Sequence, residues 1–233
     1  MKRIFTTLAF SFYLLTSVAQ EKEMVRYNTT ENNQNDMVSH LLKYPQFTRG
    51  RAFLRNGTKG EALFNYNYDN NEILFINGQK DTLAFDTPEQ YEQVVIATDT
   101  FLYSKQGFLQ VVSSSPFCQL LVKRNLVMVG SEKKAAYGGY SATSSTAPIK
   151  TFSDGTFQHS ISTDENFYYR LKEAYYFADR FHQIFPVNKK GVRDLGWKKE
   201  KELKEFIEQN RISFEKKEDL FRLMAFFQSA GPN

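Results

Sequence analysis

The sequence predicts an α+β fold: an extended antiparallel β-meander sheet, curved or partly closed, with C-terminal helices packed on it. Three observations carry this. Residues 48–85 alternate short apolar runs with Asn56-Gly57, Asp69-Asn70-Asn71 and Asn77-Gly78. Both residues of an Asn-Gly pair tolerate positive φ, so such a turn twists in the same sense as the strands beside it. Residues 91–129 continue as short strands, with no intervening segment long enough for the helical crossover that parallel pairing requires. The C-terminal segments switch to an apolar period of 3.6. With 22 Phe and 13 Tyr the chain is too rich in rings to be disordered, and its core should be aromatic. Its 233 residues fit one substantial core.

Residues 1–19 read as a signal peptide: basic Lys2 and Arg3, an apolar stretch from Ile4 to Leu15, then small Ser17 and Ala19. The stretch is shorter than the roughly 20 residues of a membrane span, and no cysteine is placed for lipidation. The expected mature chain, 20–233, is therefore a single α+β domain without a transmembrane segment. Removing Lys2 and Arg3 takes the 30 basic residues to 28 against 26 acidic ones, an excess too small to suggest nucleic acid as a partner. Cys118 is the only cysteine, which leaves no intrachain disulfide to form.

Residues 20–47 are expected to be a polar lead-in followed by a short helix, since Met37, Val38, Leu41 and Leu42 share a helical face that stops before Pro45. The meander should occupy 48–130. Within it Ala62, Phe64, Tyr66 and Tyr68 alternate with Leu63, Asn65, Asn67 and Asp69, so one face is core and the other wet. Strand breaks are expected at 98–100, 105–107, 113–116 and Arg124-Asn125. Residues 131–166, rich in glycine and small hydroxyl side chains, read as a flexible loop. Residues 167–179 read as a hairpin turning at Lys172-Glu173, with a short helix as the alternative. His182 is expected on a short helix before Pro186. Two helices close the chain, one with an apolar stripe of Leu203, Phe206 and Ile207, the other with Leu220, Leu223, Met224 and Phe227. Trp197 is placed to plug the start of the first.

No sharp catalytic signature is present. His40, His159 and His182 are too far apart in sequence for a local metal motif, the serine runs lack a Gly-x-Ser-x-Gly elbow, and Gly138-Gly139 lacks the phosphate-loop pattern. No metal or cofactor is expected. Lys189, Lys190, Arg193, Lys198, Lys199, Lys201 and Lys204 surround Trp197, but glutamates interleave with them. That stretch is read as a solvated helix face, with a binding patch for anions as the alternative. Asn65, Asn67 and Asp69 are the candidate ligand-binding residues. Either they form a polar sheet face that grips a ligand, or they bond to nearby backbone, as Asn readily does.

Tyr44-Pro45-x-Phe47, Asn56-Gly57, the run from Ala62 to Asn67, Phe108 to Val112, Leu120 to Lys123, Ile212-Ser213-Phe214 and Asp219-Leu220 together resemble uncharacterised secreted β-rich proteins of Bacteroidota. The resemblance implies an envelope location, periplasmic or at the cell surface, and a β-rich fold; it transfers no functional residue. The function expected from all of this is a non-enzymatic envelope module binding a partner protein or a glycan. The alternative is a hydrolase or other enzyme whose site is assembled from distant residues.

Overall fold

The computed structural model describes residues 24–28, 40–134, 140–143 and 165–229. They build one large antiparallel sheet of twelve strands, ten of them in the continuous order β1-β11-β9-β8-β7-β6-β2-β3-β4-β5, with β10 beside β9 and β12 beside β11. The strands are β1 Met24–Asn28, β2 Thr48–Leu54, β3 Lys59–Asn67, β4 Glu72–Ile76, β5 Thr82–Ala84, β6 Tyr91–Ile96, β7 Asp99–Ser104, β8 Gly107–Ser114, β9 Cys118–Lys134, β10 Tyr140–Thr143, β11 Glu165–Asp179 and β12 Ile184–Pro186. Three helices follow: α1 Lys189–Asp194, α2 Glu200–Gln209 and α3 Lys217–Ser229. No helix among the described residues is long and apolar enough to cross a membrane.

The meander forms where the turn chemistry placed it, with Asn56-Gly57 between β2 and β3, Asp69 to Asn71 between β3 and β4, and Asn77-Gly78 between β4 and β5. β2 also pairs with β6, which splices the meander into the larger sheet. The sheet curls but does not close. The β3–β4 turn reaches the β7–β8 hairpin, where the Phe108 amide donates to the Asn71 carbonyl at 2.8 Å and the Tyr66 hydroxyl lies 2.9 Å from both Asn71 Oδ1 and the Phe108 carbonyl. Gly107 makes this approach possible: its φ is +93°, and a Cβ there would meet the Asn71 carbonyl oxygen at 2.7 Å.

Two cores share one face of the sheet. Phe64, Tyr66, Ile73, Val94, Ile96, Phe101 and Phe108 form an aromatic core under β2 to β8. Leu120, Phe177, Trp197, Leu203, Leu220, Leu223, Met224 and Phe227 form the second, where the helices cover β8, β9 and β11. Trp197 plugs it, edge-on to Phe117 with ring centroids 4.7 Å apart and 5.1 Å from Phe227. Each fully buried leucine there contributes on the order of 1.5–3 kcal/mol. A small cluster of Leu102, Leu109, Leu121 and Ala178 lies on the opposite face.

Several expectations are corrected. Residues 167–179 are not a hairpin: β11 runs unbroken, and Lys172 and Glu173 sit mid-ladder opposite Asn125 and Arg124. Arg124-Asn125 is likewise no break but the middle of β9. The polar pairs misled because charged side chains normally mark turns, whereas here Arg124 and Glu173 face each other across two strands and form an ion pair. The lead-in contains β1, an added strand on β11. The segment read as a loop, 131–166, contributes strand at both ends and in β10. His182 lies in the turn between β11 and β12, at φ +60°, not on a helix. The signal peptide, the rest of the lead-in and the remainder of the loop lie outside the described residues. Of the residues expected to form the short N-terminal helix, His40, Leu41 and Leu42 are described: His40 and Leu41 are helical, whereas Leu42 already forms an antiparallel bridge to Asn67.

Candidate functional site

Between the two cores the shared face carries a polar seam, built by one side chain from each of four neighbouring strands: Asp99 on β7, Gln110 on β8, Arg124 on β9 and Glu173 on β11. Strand alternation puts them together, because Asp99 and Phe101 share a face, Phe101 pairs with Gln110, Gln110 with Val122, and Arg124 with Glu173. The bonds are continuous. Gln110 Nε2 donates to Asp99 Oδ1 at 2.8 Å, Arg124 Nη1 to Gln110 Oε1, and Arg124 Nε to Glu173 Oε1 at 2.8 Å. At one end Tyr44 donates to Asp99 Oδ2 at 2.6 Å and Lys43 Nζ lies 3.5 Å from the same oxygen. At the other end Tyr175 donates to Glu173 Oε2 at 2.6 Å, and Lys217 at the start of α3 lies 3.9 Å away.

The seam is half-buried and open to solvent, with side-chain exposures of 26% for Asp99, 15% for Arg124 and 22% for Glu173. Burial works to raise the Glu173 carboxyl. The hydrogen bonds from Tyr175 and Arg124, with the charges of Arg124 and Lys217, outweigh it and hold the group below its ordinary range. The Tyr44 and Tyr175 phenols are pushed far up, first by burial and then by the carboxylates that accept their protons.

Tyr68 completes the site. Its ring stands edge-on to Tyr66 at 5.5 Å, and it is close enough for Arg124, Asp99 and Glu173 all to act on its titration, although burial is what chiefly raises it. Its hydroxyl has no hydrogen-bond partner among the described residues, and neither has the second Nη of Arg124. Among those residues no group of three or more His, Cys, Asp or Glu side chains could hold a metal ion.

Asn65, Asn67 and Asp69 alternate with Tyr66 and Tyr68 and do not enter the seam themselves. Asn65 is fully buried. Between the Leu42–Asn67 bridge and the Thr48–Phe64 pair the chain leaves the ladder, and the Asn65 amide fills the gap: it accepts from the Tyr44 amide at 3.1 Å and donates to the Tyr44 carbonyl at 2.9 Å. It thereby fixes the residue whose phenol holds Asp99. Asn67 Oδ1 accepts from the Asp69 amide at 2.9 Å and shapes the turn; burial raises the Asp69 carboxyl.

Sequence reasoning missed the seam, although a signal was present. Gln110 and Arg124 interrupt otherwise apolar strands, and a polar side chain at a core-facing position needs a partner. Comparison with known protein families, curated proteins and solved structures finds no match to this chain.

Proposed function

We infer that the protein is an exported, non-catalytic module of the cell envelope that binds a glycan along the polar seam. One observation carries the reading: the Tyr68 hydroxyl, without a hydrogen-bond partner among the described residues, stands near the fixed, planar polar groups of a partly exposed seam. Vicinal sugar hydroxyls need donors and acceptors held at set positions, which Gln110, Arg124, Glu173 and Asp99 supply, while phenol rings offer a flat apolar surface for a sugar ring. The groups are already bonded to one another, so little side-chain entropy is lost on binding. Glu173 itself is poorly suited to be a glycosidase acid, because its neighbours favour its ionised form and such an acid must keep its proton. The likeness to secreted Bacteroidota proteins supports export.

Calorimetric titration of the purified protein with soluble fragments of envelope polysaccharide tests the reading. Binding that falls about tenfold in Tyr68→Phe, the loss of roughly one hydrogen bond, supports it. Absence of heat with every fragment, or undiminished affinity in Tyr68→Phe, counts against it. Release of new reducing ends during the titration would favour the hydrolase. Intact mass of envelope-extracted protein should place the mature start at or near Gln20; Lys2 still attached would remove the export step.

A further inference from the structure

The helical layer holds a concave feature that shares no residue with the seam. It is a cleft of about 620 Å³ between α1 and α2, to which Val192, Trp197, Leu203 and Ile207 give an apolar floor. Cations stand on both walls: Lys189 and Arg193 on α1, Lys201 and Lys204 on α2. Glu200 and Glu208 belong to the same face of α2, one before and one after the two lysines. That face runs roughly 12 Å at the helical rise per residue.

The wall cations are free to change partners. Lys201 lies 3.9 Å from Glu205 and Lys204 4.0 Å from Glu208, with the two lysine side chains 90% and 78% exposed. Pairs of this kind contribute little to stability and are screened by salt. Among the described residues Arg193 pairs only with its chain neighbour Asp194, at 3.8 Å. The groove is therefore apolar below and positive on its α1 wall, while its α2 wall carries Lys201 and Lys204 between Glu200 and Glu208.

We propose that this groove docks an acidic amphipathic helix of a partner protein. The charge arrangement selects that occupant. Lys189 and Arg193 are one helical turn apart, as are Lys201 and Lys204, so an apolar ridge flanked by two rows of acidic residues would set carboxylates against both walls at once. A single-headed anionic amphiphile offers charge at one end only and would leave most of the wall cations unmatched. A flat membrane surface would meet the rim without filling the floor.

Trp197 is the only tryptophan of the chain and lines the groove, so its emission reports occupancy directly. The full mature protein is titrated with a blocked 14-residue helical peptide bearing leucines at i, i+3, i+4 and i+7 flanked by glutamates. The control peptide has lysine in place of each glutamate. The expected result is a saturable change in Trp197 emission with the glutamate peptide only, weakened by salt and at least tenfold weaker in the Lys201→Glu, Lys204→Glu double variant. No change with the glutamate peptide, equal binding of the lysine peptide, or unweakened binding to the double variant overturns the proposal. So does a response confined to phosphatidylglycerol vesicles. Both substituted lysines are exposed, and the peptide swap tests the proposal even if the double variant fails to fold. Tyr68→Phe leaves this titration unchanged, which separates failure here from failure at the seam.

Discussion

Under β8, β9 and β11 the sheet is covered by helices that bring Leu220, Leu223 and Phe227 to 0% exposure. Under β2 to β7 the rings cover one another instead: Tyr66 stacks on Phe101 at 4.9 Å, Phe85 on Tyr91 at 3.9 Å, and Phe64 leans on Phe75 at 6.4 Å. Both regions exclude water from the same face. One does it with a second layer of structure, the other by curling until its own large side chains meet. The curl works because aromatic side chains bury much area per residue and tolerate offset and edge-on contact. The helices cover strands whose core-facing side chains include Cys118, Leu120 and Phe177. The seam lies where the one solution gives way to the other.

The comparison breaks most visibly at Leu223. Leu223→Asp puts an unpaired carboxylate into the helix-covered core and should cost several kcal/mol, a large share of a domain's total of about 5–15. Hydrogen exchange on the variant should show lost protection in the helices while Phe101 and Val94 stay protected. Simultaneous loss in both regions would mean that they are one cooperative unit. Phe101→Ala attacks the other side. It should cost about 3–5 kcal/mol in a urea melt, because the ring is fully buried and its neighbours are themselves rings that cannot easily collapse into the space.

Glu173→Gln probes the join. Because the folded carboxyl titrates below its ordinary value of 4.5, the stability it lends is complete above that value and is lost as pH falls through the folded pKa. Wild type should therefore lose melting temperature on acidification below about pH 4.5, and Glu173→Gln should flatten part of that dependence while costing about 1–3 kcal/mol at neutral pH. A variant whose pH profile matches wild type would show that the seam does not couple the two regions. The smallest effect is expected at Lys201→Asp, well under about 1 kcal/mol, since the side chain is 90% exposed and its pair with Glu205 is a surface contact.

The parts of the fold legible in the sequence were those set by local chemistry. Asn56-Gly57 and Asn77-Gly78 marked their hairpins, and the stripe from Leu220 to Phe227 marked α3, because turn propensity and helical period are properties of a few adjacent residues. What could not be read was set by partners distant in sequence. Lys172-Glu173 and Arg124-Asn125 look like turns in isolation and become strand only because Glu173 and Arg124 neutralise each other across the ladder. The same misreading concealed the site, since those two residues are its centre. Asn65 was placed on a wet face for a related reason: strand alternation is visible locally, but the Tyr44 segment that covers it is 21 residues away.

Cys118 offers a way to follow opening of the helical layer. Its thiol is 2% exposed, lies 3.8 Å from the Met224 sulfur under the helices, and is pushed by burial up to about 12. At ordinary pH it holds almost no thiolate, so an oxidant or an alkylating reagent meets an inert group while the helices stay down. Labelling must wait for α3 to lift. The rate at which a thiol reagent modifies the native protein thus becomes a clock for opening of the helical layer alone, read without adding any probe to the chain.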